Sequence, residues 1–159
     1  LNIAVIAQDS EGRLVTSNPI LKENLKTWID KSRMVSDVVE IVDAKILNFG
    51  IDFNVVGDLN KDSSTILQNC ITALTDHFNM KADIGESFFI TDVYKALKDV
   101  DGVIDVVDVS VNVKQGANYS STTFNVNDNL SSDGRSVIIP RNAIYEVKFP
   151  NIDIKGAVR

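Results

Sequence analysis

A chain of 159 residues, 44% hydrophobic and 24% charged, has the composition of a single globular domain and enough length to bury a core without staples. Its formal net charge of −6 argues against a nucleic-acid-binding surface, which needs a basic stripe. The single cysteine, Cys70, excludes an internal disulfide and a cysteine-based zinc cluster, and no apolar run approaches the roughly 18 residues that span a bilayer. The first residue is Leu, and LNIAVIA (1–7) reads as a strand already under way, so the sequence is expected to be the C-terminal fragment of a larger protein. The turn-like QDSEGR and a brief LVT then predict a hairpin. In SNPILKENLKTWIDKSR, Asn18 can cap a helix and Pro19 suits its first position, while Leu21, Leu25, Trp28 and Ile29 recur on one face.

VVEIV (38–42) predicts a short strand, and KILNFGIDFNVVG (45–57) predicts a long one. In the latter Leu47, Phe49, Ile51, Phe53 and Val55 point one way, and Asn48, Asp52 and Asn54 the other. DSSTILQNCITALTDHFNM (62–80) returns to the helical period, with an apolar stripe of Ile66, Leu67, Cys70, Ile71, Leu74 and Phe78 and a cap at Asp62 or Ser63. A shorter helix over TDVYKALKDV stops at the Asp101-Gly102 turn. VIDVVDVSVNV alternates again and predicts Val107, Val109, Val111 and Val113 inside. VIIP and AIYEVKF predict two short strands. The whole reads as one α+β domain: a mixed or antiparallel sheet with helices packed on one face, of split βαβ type. Residues 1–113 form its core, 114–136 a long polar loop, and 137–159 the terminal strands and an extended C-terminal arm.

The chemistry-bearing residues do not converge. Asp58, Asn60 and Asp62 match the first, third and fifth positions of a calcium loop, but Ser63 stands where Gly is needed and Asn69 where a bidentate Glu is needed. His77, the only histidine, has no evident nucleophile or fellow ligand, and Cys70 falls on a core stripe. The strand carboxylates read as a solvated face, with no pair isolated in an apolar setting. No catalytic, metal or cofactor site emerges, and an enzyme is the weaker reading. The apolar ending EVKFPNIDIKGAVR, broken by Pro150 and Gly156, is unusual for a terminus and predicts a contact element.

LKENLKTWIDKSRMVSDVVEIVDAKILNFGIDFNVVGD combines a helix, an Arg-Met-Val-Ser-Asp turn at residues 33–37 and an Asp-Ala-Lys-Ile strand start. With the helix and turn of SSTILQNCITALTDHFNM and IGESFFITDVYKALKDVDGVIDVVDVSV, and the ending YEVKFPNIDIKGAVR, it resembles the C-terminal part of the large baseplate wedge subunit of T-even-like contractile-tailed phages, which is related to the baseplate J-like proteins. The resemblance covers nearly the whole chain except residues 114–136. It implies a non-enzymatic structural component of the virion, assembled in the host cytoplasm, that forms a homodimer and docks other baseplate proteins. It needs no cofactor and engages neither nucleic acid nor membrane. On this reading the arm is the contact element, with Tyr145, Phe149, Ile152, Ile154 and Arg159 as the partner interface, and loss of residues 151–159 should leave the core folded. The alternative is a ligand- or carbohydrate-binding domain that uses the Ser/Asn-rich loop around Tyr119 and Phe124.

Overall fold

The computed structural model describes residues 2–32, 38–80 and 82–159, so the turn expected at 33–37 lies outside the described residues. The fold is α+β, organised around one long strand. Short strands β1 (Asn2–Val5), β2 (Ala7–Gln8) and β3 (Leu14–Val15) precede helix α1 (Pro19–Asp30) and strand β4 (Glu40–Asp43). The central strand β5 (Lys45–Gly57) follows, then α2 (Ser63–Asn79), β6 (Phe88–Phe89), α3 (Ile90–Lys98) and β7 (Val103–Val113). The chain ends with β8 (Ser136–Val137), β9 (Ala143–Glu146), the single turn α4 (Pro150–Asp153) and β10 (Ile154–Val158).

One edge of β5 pairs antiparallel with β7. Its other edge pairs parallel with β9 over Lys45–Asn48 and then with β10 over Ile51–Val55, so the chain from Ala143 onward follows β5 in one direction and steps aside only at α4. Connectivity departs from a split βαβ unit in one respect: the parallel neighbours β5 and β10 are adjacent, with no strand between them.

The period-two pattern of β5 explains its burial. Leu47, Phe49, Ile51, Phe53 and Val55 lie in the main core, under α2 and α3, with Ile66, Cys70 and Leu74 from α2 and Val93 and Leu97 from α3. On the opposite face Asp52 and Asn54 are half-buried, and Asn112 donates from Nδ2 to Asp52 Oδ2 at 2.7 Å. Only the first half of β5 is covered on both faces. There Ile46 joins Leu14, Ala44 and Ile144 in a second, smaller cluster that seats the N-terminal strands.

The caps follow local chemistry. Asn18 accepts from the Ile20 N–H at 2.9 Å, and Asp62 accepts from the Thr65 N–H at 2.9 Å. Asp58 Oδ1 accepts from both nitrogens of Asn60, so the residues that matched a calcium loop serve as a turn and a helix cap.

The reading of β7 needs correction. Val109 is buried and Val111 and Val113 pack on the core, but Val107 is 52% exposed and Val106 takes its place inside. The pairing with β5 skips Val107 and Ile104. Each skipped residue is a bulge, and one extra residue turns the following side chains to the other face.

Candidate docking surfaces

The expected arm is not free. Ile154 is buried in the main core, and the backbone of Arg159 still pairs with β5: its N–H donates to Val55 O and its carbonyl accepts from Gly57 N–H, each at 2.9 Å. Tyr145 stacks on Phe49 with centroids 5.7 Å apart and meets Phe88 edge-on at 5.1 Å. Phe149 is enclosed by the Arg13 guanidinium, 4.9 Å from its centroid, the Lys148 ammonium at 5.6 Å and the Tyr119 ring edge at 5.6 Å. Of the five residues expected at the interface, Ile154 is therefore buried, Tyr145 and Phe149 are half-buried against the domain, and Ile152 and Arg159 are exposed.

Two residues explain why the arm lies down. Gly156, expected to release it, sits against Phe53, whose ring atoms would come within 2.2 Å of any Cβ placed there. The missing side chain is what lets β10 close on β5. Pro150, expected to stop a strand, opens α4 from its first position. This turn is clamped by Asp153, which is fully buried: Oδ1 accepts from the Tyr119 hydroxyl at 2.6 Å and Oδ2 accepts from the Phe149 N–H at 3.0 Å.

Glu146 is the second buried carboxylate, and neither was expected from strands read as solvated. Its Oε2 accepts from the Leu14 N–H at 3.0 Å and its Oε1 from Asn48 Nδ2 at 3.1 Å, while Asn48 Oδ1 accepts from the Ser120 N–H at 2.7 Å. Lys148 Nζ donates to the Asn118 carbonyl at 2.7 Å. Together these bonds fasten the 118–120 segment of the polar loop to β5 and β9. A cavity of about 290 Å³ remains among Thr16, Ser121 and this network. Phe124, 6.2 Å from Phe49, packs on the core, so both loop aromatics proposed for ligand contact face inward.

Burial and the Asp153 carboxylate push the Tyr119 phenol up to about 12; burial, then the charges of Glu86 and Asp92, push Tyr145 to about 12. Both shifts favour the neutral phenol in the folded state. The stability they supply is complete below the unfolded value of 10.0 and is lost as pH rises towards 12. Urea midpoints should therefore fall steeply between pH 10 and 12, and Tyr119→Phe should flatten that fall. A pH profile unchanged by the substitution would contradict the assignment. Burial likewise pushes the Cys70 thiol up to about 11. It should resist alkylation at neutral pH in the native protein and react fully in denaturant.

An exposed apolar surface lies on α1, and it includes two of the four residues expected to share one face, Leu21 and Trp28. None of its residues is buried; Ile20 is 66%, Leu21 56% and Trp28 68% exposed. Lys22 anchors the helix to β4 by an ion pair with Asp43 at 2.7 Å, and the Lys22 ammonium holds that carboxyl below its ordinary range. Leu25 and Ile29 are half-buried. An exposed Trp beside Leu and Ile on a capped helix is the composition of an interface anchor. Sequence periodicity put Leu21, Leu25, Trp28 and Ile29 on one face; the structure turns Leu25 and Ile29 partly inward and leaves Leu21 and Trp28 exposed beside Ile20. No protein-family model and no curated protein matches the chain.

Proposed function

We propose that the chain is a non-enzymatic assembly module of a contractile phage tail, a baseplate wedge component that docks a second copy of itself and neighbouring baseplate proteins. The observation that carries this reading is the uncovered apolar face of α1 around Trp28. A helix with such a face gains from burial about 25 cal/mol for each Å² of apolar area, and among the described residues none covers Ile20, Leu21 or Trp28. The resemblance of the helix and strand segments to wedge subunits supplies the setting. The contact assigned at the level of sequence to the C-terminal arm moves accordingly to α1.

An antibody against the chain should decorate the baseplate end of intact contractile-tailed particles that carry this sequence. Label on the head, or on no part of particles whose mass spectrum contains the chain, would overturn the virion assignment.

A further inference from the structure

While α1 turns an apolar side to solvent, α2 and α3 leave an open groove between them. The groove has a volume of about 460 Å³. Ala73, Ala96 and the largely exposed Met80 give it small and flexible apolar walls. Its other described lining residues are the half-buried His77, which lies on the floor with the two alanines, and the exposed Asp76, Asp92, Lys95 and Asp99. The groove thus has a floor of two alanines and one imidazole, and a rim on which three aspartates outnumber one lysine.

The face of α1 is its complement. Helical periodicity gathers Ile20, Leu21, Asn24 and Trp28 on the solvent side, with Lys31 at the C-terminal end, and carries Glu23 and Asp30 away from it. That face therefore presents large apolar side chains, one cation and no carboxylate.

We infer that α1 of one copy seats in the α2–α3 groove of a second copy, with Trp28 and Leu21 against Ala73, Ala96 and Met80 and with Lys31 among the rim aspartates. This rests on the assembly reading above and specifies the partner surface. A symmetrical α1–α1 contact fits less well. It would face two carboxylate-free surfaces together and leave the acidic groove uncovered. A 12-residue helix is only about 18 Å long, so one helix laid on another covers far less than the roughly 800 Å² per partner of a stable interface. Seating between two helices engages both flanks of α1. Because each copy then offers one helix and one groove, the contact is head-to-tail and extends into a ring where the rotation closes and an open filament where it does not.

Sedimentation velocity on the full chain, from low to high micromolar concentration and at two salt concentrations, tests this. The wild type should grow beyond a dimer with concentration, and less so at high salt. Trp28→Glu removes the anchor. Asp76→Lys with Asp99→Lys reverses the rim at two exposed sites near helix C-termini, where a cation is favourable. Each variant should keep the wild-type circular dichroism and melting curve, yet self-associate roughly tenfold more weakly or worse. Mixed together, they should form a 1:1 complex that stops at two, since each retains the surface the other lacks. A wild type that stays monomeric throughout overturns the inference, as does loss of association in Trp28→Glu alone with no rescue on mixing. Self-association that neither variant weakens also overturns it, while leaving the broader assembly reading to stand or fall on particle labelling.

Discussion

Removal of residues 151–159 is expected to abolish cooperative unfolding, not merely to cost the protein a contact. The deletion takes away all of β10, whose five residues pair with Ile51–Val55, and with it Ile154 from the main core. Loss of one buried Ile side chain is worth about 1.5–3 kcal/mol, and the broken pairing leaves an edge of β5 bare beside Phe53 and Val55. Asp153 goes as well, stripping Tyr119 and the Phe149 N–H of their acceptor. Against a total stability of about 5–15 kcal/mol these losses are large enough to unfold the domain. Near-UV circular dichroism and a urea titration decide the matter: a truncated chain with native dichroism and a sharp transition would show β10 to be dispensable. Sequence alone pointed the other way, towards a folded core that had lost an arm.

The second large effect is expected at Asp153. Replacement by Ala removes the fully buried acceptor of two part-buried donors, for a cost of about 3 kcal/mol. Tyr119→Phe removes the hydroxyl alone and should cost about 2 kcal/mol, because a hydrogen bond to a charged group is lost. The double variant should be less destabilised than the sum of the two, by about 1–2 kcal/mol, because the pair shares one bond. Urea midpoints for the wild type, both single variants and the double variant measure this directly. Strict additivity would mean that Tyr119 and Asp153 act separately.

The sequence was most readable where its signals are local. The alternation from Leu47 to Val55, the stripe from Ile66 to Phe78, and the caps at Asn18 and Asp62 all depend on residues within a turn or two, and each forms as expected. The misreadings share another cause. Val107 and Val106 differ only by a bulge whose position is fixed in the pairing with β5. Pro150 and Gly156 were read as breaks because both have that meaning in isolation, yet one opens a helical turn and the other makes room for Phe53. Glu146 and Asp153 gave no local sign of burial, since Leu14, Asn48 and Tyr119, far away in the chain, donate to them, and the one local donor, the Phe149 N–H, reaches Asp153 only because α4 forms. The stripe on α1 was legible only in part: which of its residues turn inward, as Leu25 and Ile29 do, and which stay exposed, as Leu21 and Trp28 do, depends on where neighbouring elements run.

The course of β10 along β5 also bears on how the protein is made. Ile154 pairs with Ile51, about a hundred residues earlier, so on the ribosome β5 must wait for most of the intervening chain before its second edge is sealed. At about 5–20 residues per second that wait lasts roughly 5–20 s, during which Phe53 and Val55 lie beside an unpaired strand. Synthesis therefore passes through a nascent state open to chaperones and to mispairing with other nascent chains.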